Sequence, residues 1–483
     1  MMRRRIRRVV GCAVISFCLF ASGLTASAQG SSNYVINMEG KRQEIPLCYL
    51  ADTTYSYFEL DADIMSAPTD LYIDIKDQLY ILDAGNGRVI KLDKDGKLLR
   101  EYKPEGNDAF PKANGIFVDD EENIWIADTE RGRVLRMNAE GEITLELTKP
   151  ESRLYDDTYP FKPVKVEVDS MGQIYILNDL DYHGFIILDT DNVFRGYLGA
   201  TRLSQSFFDS IIYMFASASQ REKLGKRMPP THTNFTIGSD NSLYTVTGNT
   251  DVEQFKLFSS TGSNYYPKKD MFGDNETDYI MHKYGKTMDK PAFVDVSVDS
   301  RGIISLLDNL SGRIYQYDQD GTMLCVFGGT GNWGSRFMNA VALEQDSAGN
   351  LYILDKNLAT VQVFRPTRFT KTIQQALTLY NNGKYVEAQD SWREILISDP
   401  AYPVAHIGMG KAALKQGDYE QSMSHYKTAG DKYGYSDAFT KHFKIILQKY
   451  FLLILVGMLA LIVGLIMGVG RLRRRAKRLA SGR

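Results

Sequence analysis

One five-residue phrase is written six times in this chain. It reads Leu79-Tyr-Ile-Leu-Asp83, Ile124-Trp-Ile-Ala-Asp128, Ile174-Tyr-Ile-Leu-Asn178, Leu243-Tyr-Thr-Val-Thr247, Ile304-Ser-Leu-Leu-Asp308 and Leu351-Tyr-Ile-Leu-Asp355. Five residues before each copy stands Asp74, Asp119, Asp169, Gly238, Asp299 or Asp346. Self-similarity of this kind restricts the chain to a repeat architecture before any single residue is weighed.

Each copy reads as four strands. An apolar–polar alternation ends in the Asp, and a Gly/Asn turn leads into the phrase. A third strand follows, such as Val89-Ile-Lys-Leu-Asp93, and an Asp-Gly turn (Asp95-Gly96, Asp320-Gly321) opens a fourth. Period-two patterns broken by such turns are strands and hairpins. Four strands per unit, repeated every 45–60 residues or so, make the blades of a propeller. The sixth copy supplies only three strands before Pro366. The N-terminal segment, around Glu44–Leu50 or Thr54–Leu60, is expected to complete it and hide the exposed edges.

The elements Pro111…Gly115-Ile-Phe-Val-Asp119…Asn123-Ile-Trp-Ile-Ala-Asp128…Arg133-Val, with Phe327-Gly-Gly…Phe337 between units, resemble NHL-repeat proteins over roughly residues 66–366. The resemblance implies a six-bladed propeller and leaves activity open, because one fold hosts binders and enzymes alike. It also implies where a metal would sit, since related lactonases and lyases hold a divalent ion where the innermost strands begin. Those positions are Asp70, Gly115, Lys165, Asn234, Asp295 and Ala342. Asp70, Asn234 and Asp295 are the candidate ligands, an oxygen set that suits Ca²⁺. Lys165 brings a positive charge into the same ring and opposes it. No other cofactor is called for.

Past Pro366 the period becomes helical. Gly383, Tyr385, Ala388 and Trp392 are matched 34 residues later by Gly417, Tyr419, Ser422 and Tyr426, a spacing that resembles tetratricopeptide repeats. Trp392 then reads as a packing residue. Phe451 to Gly470 carries no charge and is long enough to span a bilayer. The basic tail behind it places the C-terminus in the cytoplasm. At the other end Arg3–Arg8, an apolar run and Ala26-Ser-Ala28 form a secretory signal. The expected organisation is therefore a signal peptide (1–28) and a propeller (33–366, with 33–60 closing the last blade). Helical repeats (370–449), a transmembrane helix (450–470) and a cytoplasmic tail (471–483) complete it.

The five signal arginines and seven basic tail residues leave residues 29–470 at −14, against −2 for the whole chain. An acidic exterior argues against nucleic acid, which needs a basic footprint. Outside the signal only Cys48 and Cys325 remain. Two isolated cysteines in strand-like sequence read as small buried apolar residues, ahead of a bridge.

Asp83, Asp128, Asn178, Asp308 and Asp355 resemble a carboxylate cluster, but they lie on separate blades at equivalent turns. There Asp bonds local backbone donors, and Arg88, Arg133 and Arg313 follow five residues on, where each can pair across the turn. Trp125 shares its slot with Tyr80, Tyr175, Tyr244 and Tyr352 and reads as interblade packing. Gly329-x-Gly331-x-x-Gly334 lacks the following helix that a dinucleotide site needs.

The repeat breaks around its fourth copy. Residues 200–231 insert Phe207–Phe215 and a basic stretch; residues 265–290 insert Tyr265, Tyr266, Phe272, Tyr279 and Tyr284. Insertions on one face of a repeat fold build its binding face. The expected face comprises Phe207, Phe208, Tyr213, Phe215, Tyr265, Tyr266, Trp333 and Arg336. The sequence thus reads as a single-pass, extracytoplasmic binding or scaffold protein that captures a protein or carbohydrate ligand, with a membrane transporter as a candidate partner. The alternative is a metal-dependent lactonase- or lyase-like propeller enzyme.

Overall fold

The computed structural model describes residues 33–37, 40–56, 63–156, 158–200, 230–248, 253–259, 261–267, 272 and 291–480. The signal segment, Phe207, Phe208, Tyr213, Phe215, Tyr279 and Tyr284 lie outside the described residues. Two compact units divide the chain, Met1–Thr378 and Leu379–Arg483.

The first unit is a six-bladed β-propeller. Its innermost strands, Asp70–Ile73, Gly115–Val118, Pro163–Val168, His232–Ile237, Phe293–Val298 and Ala340–Gln345, touch their neighbours in a closed circuit. Each opens an antiparallel meander whose second strand is the repeated phrase. That strand is buried along its whole length in all six blades, because each blade stacks on the next and leaves neither face to solvent. Blade four has three strands among the described residues.

Closure uses the N-terminus. Tyr49–Tyr55 pairs antiparallel with Thr360–Pro366, with Thr53 opposite Val363, and forms the outer strand of blade six. This strand overlaps the end of the first and the start of the second of the two segments singled out from the alternation. A hairpin that the sequence did not disclose, Tyr34–Ile36 with Arg42–Glu44, adds to blade five through Tyr34 opposite Val326.

The repeated aspartates hold turns. Asp74 Oδ1 accepts from the amides of Lys76 and Gln78 while Oδ2 accepts the Tyr80 hydroxyl at 3.3 Å. Trp125 Nε1 donates to Asp119 at 3.0 Å, and Tyr175 and Tyr352 donate to Asp169 and Asp346. The aromatic slot is thus a buried ring whose polar tip closes on the turn of its own blade. The Asp and Asn side chains at the ends of the phrase receive the chain arriving from the preceding blade. Ser66 N donates to Asp83, Lys162 N to Asn178, Ala292 N to Asp308 and Met338 N to Asp355, at 2.5–2.9 Å. Arg88 and Arg133 pair with Asp83 and Asp128 at 2.8 and 3.0 Å, whereas Arg313 lies over the Tyr34 ring. The glycine-rich stretch 329–334 is a loop between blades five and six, closed by Gly331 N on Phe337 O.

Helix α1, Arg368–Asn381, begins in the first unit. The second unit continues with α2 (Tyr385–Ser398), α3 (Pro403–Gln416), α4 (Tyr419–Ala429) and α5 (Lys432–Ala480). Trp392 is buried against Gly408, and Tyr426 against Gly410 and Gly434. Helix α5 runs unbroken for 49 residues and is long and apolar enough to cross a membrane.

Candidate functional site: the mouth of the channel

Alternate residues of the innermost strands face the channel and form stacked rings. The first ring holds the positions singled out from sequence. Lys165 Nζ reaches Asp70 Oδ2 at 2.8 Å, and the same oxygen accepts Ile116 N from the neighbouring blade. Asn234 Nδ2 donates to Asp295 Oδ1 at 2.6 Å, and Leu343 N donates to Asp295 Oδ2 at 2.6 Å. Asp70 and Asp295 therefore stitch blade one to two and blade five to six.

Two residues further along the same strands comes a ring of Tyr72, Phe117, Glu167, Thr236, Ser297 and Glu344. Ile237 N donates to Glu167 Oε2 at 2.7 Å, joining blades three and four, while Glu167 Oε1 is buried without a hydrogen-bond partner. Ser297 Oγ donates to Glu344 at 2.9 Å. Among the described residues, the two rings thus set one ammonium against four carboxyl groups.

Burial dominates their chemistry. It pushes Glu167 up to about 8 against the pull of Lys165, the Ile237 amide and the Thr236 hydroxyl. It does the same to Glu344, also to about 8, with Lys165 and Ser297 opposing. Asp295 is held well above the usual carboxylate range by burial, with Lys165 pulling the other way. For Lys165 burial works against the charge, but Asp70, Asp295, Glu167 and Glu344 outweigh it and the ammonium is held above its ordinary range.

The ring does not fit a divalent cation. Asn234 presents its amide nitrogen to Asp295 and its oxygen accepts Phe235 N, so it offers no free oxygen inward. Asp70 carries Lys165 and Ile116 N on Oδ2 and Leu71 N on Oδ1. Among the described residues no three His, Cys, Asp or Glu side chains are arranged to hold a metal ion. His232 lies at the mouth, where burial, then the Lys256 charge, push it down to about 3. It is a neutral imidazole that donates from Nε2 to Gly199 O at 2.9 Å.

Above the first ring a cavity of ≈ 350 Å³ opens on the face of the Asp-bearing turns. Asp70 and Lys165 contribute to its lining, as do Asn114, Asn178, Asp179, Leu180, Thr231, Thr233 and Lys356. Beside it, on the same face of blade three, runs a series of rings. Tyr159 meets Tyr182 edge-on at 5.5 Å; Tyr182 stacks on His183 at 4.4 Å and His183 on Tyr197 at 5.0 Å. His183 is held by Asp181 at 2.7 Å and Asp156 at 3.3 Å. Sequence reasoning missed this series, although Asp179-Leu-Asp-Tyr-His183 replaces the short connection of copies one, two, five and six with a longer aromatic one.

The aromatic residues chosen from sequence do not gather there. Tyr266 is fully buried between Phe255 and Phe272 and donates to Asp318 O, so it is a core residue and not part of a ligand face. Tyr265 is half-exposed and bonded to Ser242, at the turn end of blade four opposite the mouth. The third strand of that blade, Phe255–Phe258, runs away from the mouth, so the insertion begins on the far side. Trp333 is exposed on the mouth side, with the Arg336 guanidinium 5.4 Å above its ring.

No protein-family model matches the chain, and no curated protein does. Among solved structures it is similar to virginiamycin B lyase from Staphylococcus aureus, with 14% identity and a TM-score of 0.39 over 62% of this chain and 80% of that one. A streptogramin B lyase gives 12% and 0.42 over 65% and 98%. The WD40 β-propeller domain of Doa1 gives 11% and 0.39 over 66% and 98%. Likenesses this distant add no argument about activity; the propeller assignment rests on the strand pairing itself.

Proposed function

We propose that the chain is a membrane-anchored, extracytoplasmic binding protein whose propeller takes up a carbohydrate at the mouth of its channel. The observation that carries this reading is that one connection of blade three both lines the ≈ 350 Å³ cavity and carries the neighbouring rings. Asp179 and Leu180 line the cavity, and Tyr182 and His183 follow directly along the chain. Convergent Asn, Asp, Thr and Lys groups bond hydroxyls, while an aromatic face covers the apolar side of a sugar ring. The apolar stretch of α5 and the basic residues behind it support anchoring. The metal-dependent lactonase or lyase reading has no free donor set behind it in the first ring.

The test is a glycan array probed with the full-length protein in detergent, beside the Tyr182→Ala and Lys356→Ala variants. Binding weakened at least about tenfold in both variants supports the site, since 1.4 kcal/mol is tenfold in affinity. An array without signal, or signal in both variants equal to that of the wild type, rejects it. Retention of a protein ligand with no glycan signal assigns the mouth to protein recognition instead.

A further inference from the structure

Cys48 and Cys325 stand far apart in sequence, on different blades. Cys48 lies directly before the closing strand Tyr49–Tyr55, its amide donating to Asn33 Oδ1 at 2.8 Å. Its carbonyl accepts from Thr370 Oγ1 at 2.6 Å and from the Thr367 amide at 2.9 Å. Cys325 sits opposite Gln316 in the outer strand of blade five. Around the two sulfurs the packing is tight. Tyr49 stacks on Phe327 at 4.8 Å and receives Gln316 Nε2 at 3.0 Å, while the Cys325 thiol donates to Gln316 Oε1. The two thiols are buried and unbridged, and the Cys48 thiol is among the groups that push the Cys325 thiol up. A bridge demands facing side chains at short range, and Tyr49, the residue after Cys48, packs on Gln316 and Phe327, which lie opposite Cys325 and two residues along its strand.

We propose that Cys48 and Cys325 form a disulfide when the chain folds in an oxidising compartment, fastening the closing strand of blade six to blade five. The compartment rests on the extracytoplasmic reading; the pairing does not. The oxidant is a disulfide carrier, either a thiol–disulfide oxidoreductase or glutathione disulfide. One cysteine thiolate attacks the carrier's disulfide and expels one carrier thiolate. The second cysteine thiolate then attacks the mixed disulfide, forming the Cys48–Cys325 bond and releasing the other carrier thiolate. Two cysteine thiols are oxidised, the carrier's disulfide is reduced to two thiols, and the two cysteine protons end on the carrier. Burial also pushes the Cys325 thiol up and withholds the reactive thiolate. The exchange therefore takes place during folding, and the finished bond is shielded from reductants.

The experiment compares full-length protein recovered from its exporting host with the same chain refolded in detergent from the reduced, denatured state in a glutathione redox buffer. Each is denatured, alkylated without reductant and mapped by mass spectrometry. A Cys48–Cys325 peptide pair in both samples, lost in Cys48→Ser, is the expected result. Both cysteines alkylated after refolding in the redox buffer overturns the pairing, whatever the compartment. A pair in the refolded sample with two alkylated cysteines in the exported one upholds the pairing and rejects the extracytoplasmic reading.

Discussion

Lys165 reaches Asp70 only because blade two offers no side chain in between. The ammonium of blade three lies 2.8 Å from the carboxylate of blade one, and its stem passes over Gly115, the first-ring position of blade two. A Cβ placed on Gly115 would lie 2.5 Å from Val164 O and 3.2 Å from Lys165 Cδ. A missing methyl group thus permits the ammonium that, among the described residues of the two rings, faces four channel acids.

Removing that cation is costly. Lys165→Met keeps most of the stem and deletes the charge, leaving Asp70 buried beside Asp295, Glu167 and Glu344. Breaking a buried pair from one side costs about 3–5 kcal/mol. The propeller's denaturation midpoint should fall accordingly, and Asp70→Asn added to Lys165→Met should restore part of the loss. A Lys165→Met midpoint equal to wild type would remove the pair from any account of stability.

The second ring predicts how stability moves with pH. Glu167 and Glu344 titrate at about 8 in the folded chain, far above an unfolded glutamate at about 4.3. Between these values the native state holds more protons than the unfolded one, so stability falls as pH rises. Their contribution is complete below about 4.3 and is lost as pH climbs through about 8. Melting temperature should therefore drop from pH 6 to pH 9, and Glu167→Gln with Glu344→Gln should flatten the slope. A rising melting temperature over that range contradicts the ring as described.

Much of the propeller was legible because its grammar is local. Asp74 bonds Lys76 and Gln78, and Tyr80 returns to Asp74, all within six residues. Closure of the sixth blade by the N-terminal segment was also legible, but the strand's register and the channel contacts are not local. Thr53 meets Val363 and Lys165 meets Asp70 only once the ring is shut. The second-ring glutamates carried a faint signal: Val164-Lys-Val-Glu-Val168 alternates charge with valine on an inner strand. Such a charged face can meet only the channel, because the other face packs between blades. Tyr266 was misplaced for the opposite reason. An aromatic residue in an interrupted repeat looks spare, yet it fills the space beside Phe255 where blade four lacks a described fourth strand.

Closure itself can be tested. Deleting residues 33–60 removes the outer strand of blade six and the hairpin on blade five, exposing the edges of Thr360–Pro366 and Met323–Gly328. Open edges invite association with other chains. The shortened protein should melt lower and aggregate at the transition, followed by light scattering. The milder Tyr49→Ala, which loses the Phe327 stack and the Gln316 bond, should cost about 3–5 kcal/mol as a large-to-small core change. Tyr49→Phe, which keeps the stack, should cost less than half of that.

The helical unit depends on a second missing side chain. A Cβ on Gly408 of α3 would stand 2.3 Å from the Trp392 ring of α2, and that ring is almost wholly buried. The ring cannot give way easily, since it is buried between α2 and α3 against the helix backbone at Gly408. Gly408→Ala should therefore destabilise this unit by about 1–3 kcal/mol, the usual cost of overpacking. Trp392→Phe, placed in the Gly408→Ala background, frees room for the methyl group and should recover part of that loss. Helical circular dichroism during thermal unfolding measures both variants. The coupling is absent if the two substitutions simply add.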